Sequence, residues 1–105
     1  MEKTKIMQGL DIKTGIKESI LKNITGLLRD SGAYKAVIYG SRARGDFNDT
    51  SDIDIAYWGV TNETKLWLDI GETPTIHRVD LVNFDTLTNE KLKQNILRDG
   101  IELRF

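Results

Sequence analysis

Apolar residues along the chain repeat first at helical spacing and then in unbroken runs. Ile16, Ile20, Ile24, Leu27 and Leu28 fall on one side of a helix, with Lys17, Glu18, Lys22 and Asn23 opposite. That pattern predicts a helix closing near Ser31-Gly32, its apolar stripe turned to a core. Met1 to Thr14, ahead of it, is polar and mixed, and is expected to be loosely ordered. The run Ala36-Val37-Ile38-Tyr39 predicts a buried strand over Lys35 to Tyr39, and Ile53 to Trp58 a second. Arg78 to Phe84 predicts a third, in which Val79 and Leu81 alternate with Asp80 and Val82.

The segments between these runs are read from their breakers. Ser41 to Arg44 fits one helical turn, and Phe47 to Thr50, rich in Asn and Asp, a loop. Gly59 to Glu63 is a connection, and Thr64 to Ile70 a short helix with Leu66 and Ile70 inward, stopped by Gly71 and Pro74. Asp85 to Asn89 holds the cap candidates Thr86, Thr88 and Asn89. Glu90 to Arg98 is the last helix, with Leu92, Ile96 and Leu97 apolar and Gly100 at its end. Ile101 to Phe105 alternates weakly, as a short edge strand does. No internal repeat, low-complexity segment or linker interrupts the order.

Length and charge narrow the classes. A chain of 105 residues suits a single domain, 1–105, with one modest core. A net charge of −1 argues against a general nucleic-acid binder, which shows a basic excess. With no cysteine there is neither a disulfide framework nor a thiolate metal site. No apolar run is long enough to span a membrane, and the N-terminus, with Lys3, Lys5 and Asp11, is not a secretory signal. A soluble, cytoplasmic protein is expected.

The candidate chemistry lies between the first two strands, in Tyr39-Gly40-Ser41-Arg42-Ala43-Arg44-Gly45 and Ser51-Asp52-Ile53-Asp54-Ile55. Gly40 lets the backbone turn tightly or approach a ligand. A helical turn starting at Ser41 points unpaired N–H groups outward, a place for phosphate. Gly45 is a second flexible point, and Arg42 and Arg44 bring positive charge. One arginine reaches phosphate on this reading, and the other pairs with Asp46 or Asp49 in solvent. In a strand, residues i and i+2 share a face, so Asp52 and Asp54 point the same way while Ile53 and Ile55 enter the core. Paired carboxylates repel each other, and a hard cation such as Mg²⁺ is the usual reason to keep them.

Asp80 is a charged residue in an otherwise apolar strand, costly unless it is paired or metal-bound. It stands at the exposed end of the strand or faces Arg78 or a lysine; or, if the third strand pairs beside the second, it joins Asp52 and Asp54.

Gly40-Ser41, Gly45 and Ser51-Asp52-Ile53-Asp54 resemble the signature of the DNA polymerase β-type nucleotidyltransferases. Gly-Ser-Arg-Ala-Arg-Gly before Ser-Asp-Ile-Asp is especially similar to the minimal nucleotidyltransferases, or MNT proteins. Arg78-Val79-Asp80-Leu81-Val82 resembles the family segment that supplies a third catalytic aspartate. Pro74-Thr75 and Asn95 to Gly100 are also MNT-like, so the likeness runs from about Ile16 onward. Gly59 to Thr73 is shorter than in many relatives.

The resemblance implies the polymerase β-type core, an α/β (α+β) fold with a small mixed β-sheet flanked by helices. It implies Asp52, Asp54 and Asp80 as catalytic residues holding two Mg²⁺ ions about 4 Å apart. Nucleotide binding falls to Gly40, Ser41, Arg42, Arg44, Gly45 and Ser51, with Gly40 and Ser41 on the β- and γ-phosphates and Asp80 acting on an acceptor hydroxyl. NMP, expected to be AMP from ATP, passes to the acceptor and pyrophosphate leaves. MNT proteins pair with helical HEPN proteins as toxin–antitoxin systems, and some add AMP to a tyrosine of the toxin. A HEPN-type partner and an antitoxin role are therefore expected, and a homo-oligomer stays open. Two other readings stand beside this one: a binding module that neutralises such a partner by contact alone, and an enzyme on a small aminoglycoside-like acceptor completed by a partner subunit.

Two residues keep open roles. Trp67 is either core packing or the wall of a pocket or interface. His77, the only histidine, is either a surface residue or faces the nucleotide.

Overall fold

A computed structural model describes residues 9–104. Met1 to Gln8 and Phe105, the ends of two segments read above, lie outside the described residues.

Helix α1 spans Leu10–Thr14, where the sequence suggested loose order. Two buried residues explain it: Leu10 joins the core, and the Thr14 hydroxyl donates to Leu10 O at 2.7 Å. Helix α2 spans Glu18–Asp30, and Ile20, Leu21, Ile24 and Leu28 are its buried stripe. It starts two residues later than the periodicity suggested, because Ile16 is buried in the stretch leading into it. Gly32, at φ 96°, ends it, as Ala33 N donates back to Leu28 O at 3.1 Å.

Strand β1, Lys35–Tyr39, leads into the four-residue α3, Ser41–Arg44. Strand β2 is Ile53–Trp58 and α4 is Glu63–Gly71. The connection between β2 and β3 holds a capped helix, in which the Asn62 side chain accepts from Lys65 N at 3.1 Å. Strand β3, Val79–Asn83, passes through a 3₁₀ turn at Phe84–Thr86 into α5, Glu90–Asp99, which Asn89 caps by accepting from Leu92 N. Of the apolar residues of α5, Leu97 is 64 % exposed and Ile96 is the buried one. The short β4, Ile101–Glu102, is the last element and an edge strand.

The sheet is mixed, in the order β3-β2-β1-β4. β1 is antiparallel to β2 and to β4, and β2 is parallel to β3. Strand alternation divides its side chains between two cores. Ala36, Ile38, Ile53, Ile55 and Tyr57 pack with α2 and α4 on one face. Val37, Tyr39, Ala56 and Trp58 pack with Ile96 on the other, and Phe84 stacks on Trp58 with centroids 4.5 Å apart. Asp54 and Asp80 alternate with the first set, so they belong to the second face.

Candidate functional site

The site begins where β1 stops. Gly40 has φ 76° and ψ −157°, a conformation that side-chain-bearing residues rarely adopt. It is also crowded: a Cβ there would collide with Asp54 Oδ2. The turn into α3 therefore passes directly over the Asp54 carboxylate, which places the expected phosphate cradle against the expected cation ligand. Gly45, at φ 92°, closes α3 in open space, so its role is conformational.

Register sets the carboxylates. Tyr39 faces Asp54 across the β1–β2 ladder, and Asp54 faces Asp80 across the β2–β3 ladder. Neighbouring strands lie about 4.8 Å apart, so the three polar groups form a row across the sheet. Burial first, and then the charges of Asp80 and Asp52, push the Asp54 carboxyl up to about 6, against the opposing pull of Arg44 and Arg78. Burial, then Asp54 and Asp80, pushes the Tyr39 phenol up to about 12. Asp52 precedes the strand, exposed, rather than lying within it.

This is a concentration of negative charge that Arg44 and Arg78 offset only in part. Its donor set is carboxylate oxygen, the set that Mg²⁺ takes, so Asp52, Asp54 and Asp80 are residues that could hold such an ion. Among the described residues, no three acidic or histidine side chains already close around one metal position.

The two arginines separate. Arg44 is half-exposed, with Nε 3.3 Å from Asp46 Oδ2 and Nη1 3.6 Å from Asp99 Oδ2. Arg42, expected among the nucleotide ligands, is 1 % exposed and turned the other way. Its Nε and Nη2 donate to Ser51 O at 3.1 and 3.0 Å, and its Nη1 to Thr14 O at 2.9 Å. The guanidinium lies 5.0 Å from the Phe47 ring centroid. A buried cation must be hydrogen-bonded, and backbone carbonyls meet that need here. Arg42 is thus a clamp joining α1, α3 and the loop before β2. Ser51 serves the same loop: its carbonyl receives Arg42 and its hydroxyl accepts from Asn48 N at 3.0 Å. Ser41, at the start of α3, is half-buried.

His77 is half-buried, with Nδ1 3.4 Å from Arg42 Nη2, a contact that residue spacing alone does not reveal. Trp67 is 55 % exposed, and its Nε1 donates to Tyr57 Oη at 3.1 Å. It walls a cavity of about 410 Å³ that runs beside β3 to Asp80. Of the two readings of Trp67, the pocket wall is the one observed.

The family described as Polymerase beta, Nucleotidyltransferase matches residues 21–104. Among solved structures, a toxin–antitoxin crystal structure with AMP-PNP is 26 % identical at TM-score 0.66, covering 80 % of this chain and 72 % of that one. A mutant of the MntA-HpeT toxin–antitoxin is 26 % identical at TM-score 0.64, covering 79 % and 70 %. A minimal nucleotidyltransferase structure, 24 % identical at TM-score 0.58 and covering 79 % and 88 %, shares the fold. No curated protein matches the chain.

Proposed function

The chain belongs to the polymerase β-type nucleotidyltransferase family, and we propose on that footing that it transfers AMP from ATP to a hydroxyl of a partner protein, as the antitoxin of a toxin–antitoxin pair. The observation that carries this reading is the row Gly40, Asp54, Asp80. A backbone turn suited to phosphate lies on one carboxylate, and a second carboxylate stands beside it in register.

Each residue has a part. The backbone at Gly40 and Ser41 holds the β- and γ-phosphates, and Arg44, on the open side of α3, adds charge toward them. Asp52, Asp54 and Asp80 would hold Mg²⁺, which when bound offsets charge on the phosphates. Asp80 orients the acceptor hydroxyl and takes its proton. The acceptor oxygen bonds to the α-phosphorus, the α-phosphorus–oxygen bond to pyrophosphate breaks, and pyrophosphate leaves. Such reactions depend on positioning and electrostatics more than on covalent help from the protein. Arg42 has no part in this beyond holding α3 in place.

The toxin partner is proposed from the neighbours that carry that description, one of them with AMP-PNP. We take it to be a helical HEPN-type protein. No helix among the described residues is long and apolar enough to cross a membrane, and ATP supply makes the cytoplasm the working compartment. The test is incubation with Mg²⁺, α-labelled ATP and the partner. Label on the partner supports the reading; an unlabelled partner that is still neutralised would replace it with inhibition by contact.

A further inference from the structure

Among the described residues, one edge of the sheet is left open beside the carboxylates. β3 is an outer strand. Its inner rim is in use, since Ile53 N donates to Arg78 O at 2.8 Å. In a parallel ladder, alternate residues turn both backbone groups to the same neighbour. Arg78, Asp80 and Val82 therefore bond toward β2, while Val79 and Leu81 turn N–H and C=O outward. Among the described residues no backbone group meets them there. Native edges are usually blunted by charge, proline or a covering element. Here the outward-facing pair is apolar, and the cavity of about 410 Å³ runs along it.

That cavity suits a large side chain. Trp67 and Ile70 of α4 form one wall, and Leu81 of β3 the other. The indole is anchored through Tyr57 but its ring is exposed, so a partner side chain can cover it without first ordering it. Arg78 is at the rim, exposed, and enters no ion pair among the described residues.

The row across the sheet gives the direction. The phosphate turn follows β1, Asp54 is on β2 and Asp80 on β3. The next place in the row is outside β3. We propose that an extended segment of the acceptor protein adds to the free edge of β3 as a further strand. One bulky apolar side chain fills the Trp67 cavity, and the adjacent hydroxyl-bearing residue lies on the opposite face beside Asp80. Alternation of strand side chains makes these two placements one event. An acidic side chain of the segment meets Arg78. This rests on the reading of Asp80 as the residue that acts on the acceptor hydroxyl.

The probe is a capped nine-residue peptide with a central tyrosine, phenylalanine on either side and aspartate near one end. Amide hydrogen exchange is followed by NMR on the full chain, with and without peptide. Exchange at Val79 and Leu81 is expected to slow at least about tenfold, with Glu102 on the far edge unaffected. Peptide binding that leaves Val79 and Leu81 unchanged, or no binding at millimolar concentration, overturns the proposal. Val79→Pro removes one outward donor, at an edge position that tolerates proline, and Trp67→Ala removes the anchor wall. Both are expected to lose the protection, and the second decides if the first does not fold. Asp80→Asn separates the two claims: it should keep the protection and lose AMP transfer to the peptide. Transfer at the wild-type rate in Trp67→Ala and Val79→Pro would overturn the docked strand and leave the transferase standing. Protection with no transfer by the wild-type chain would establish the strand and overturn its role as acceptor.

Discussion

Asp54 and Asp80 are direct partners in the parallel ladder between β2 and β3, so two carboxylates face each other across neighbouring strands. Both belong to the face that also carries Tyr39, and Asp54 is partly withdrawn from water. Like charges so placed raise the free energy of the fold, and a protein keeps them where a ligand offsets the cost.

The first prediction follows from that cost. The Asp54 carboxyl is raised from 3.8 to about 6. The unfolded chain therefore gives up this proton at lower pH than the folded one, and stability falls as pH rises through that window. Asp54→Asn should melt like wild type near the low end of the window and higher than wild type at pH 7. The full shift corresponds to about 3 kcal/mol, and solvent around the half-buried group reduces it to about 1–2 kcal/mol. Thermal melts across the range, without divalent ions, check it. A variant less stable than wild type at pH 7 would contradict the repulsion. Adding Mg²⁺ should raise the wild-type melting temperature and narrow the gap, since binding to the folded state stabilises by mass action.

Gly40→Ala tests the turn over Asp54. The φ of 76° and the collision with Asp54 Oδ2 both act against any side chain there. A loss of about 1–3 kcal/mol is expected from backbone strain alone. Because half of the problem is the carboxylate, Asp54→Ser should recover part of the loss, giving clear non-additivity in a double-mutant cycle. Additive chemical-denaturation energies would mean that the two residues do not meet.

Arg42 and Arg44 should behave oppositely. Arg42→Ala strips hydrogen bonds from the carbonyls of Thr14 and Ser51 and leaves a void, for a loss of about 2–4 kcal/mol. Arg42→Lys should recover little, since an ammonium cannot span both carbonyls. Arg44→Ala removes only exposed pairs, worth about 0–1 kcal/mol, and should instead weaken ATP binding. Denaturant melts and nucleotide calorimetry on both variants separate the roles. Weakened ATP binding in Arg42→Lys at full stability would reverse the assignment.

How far the sequence foretold this depends on the kind of contact. The strands over 35–39, 53–58 and 79–83 were legible because alternation and apolar runs are local signals. Asp80 was legible as a companion of Asp54 by supposing that β3 pairs beside β2, and by the resemblance of Arg78 to Val82 to the family segment that carries a third aspartate. Arg42 was not legible: its acceptors are backbone carbonyls 28 and 9 residues away, which leave no side-chain signature. Residue type left Trp67 between packing and a pocket wall, and only the fold shows it 55 % exposed beside the cavity along β3. Leu97 is as apolar as its neighbour, and only the fold shows that Ile96 is buried and Leu97 exposed. In α1, one buried leucine and one threonine hydroxyl are enough for a helix too short to show a period.

The most direct test of the account is transfer itself. The chain is incubated with Mg²⁺, ATP labelled at the α-phosphate and the proposed toxin partner, and the partner is analysed by mass spectrometry. AMP is expected on a partner hydroxyl with release of pyrophosphate, and is expected to be lost in Asp54→Asn and Asp80→Asn although both still bind the partner. An unmodified partner that the wild-type chain nevertheless neutralises would contradict it.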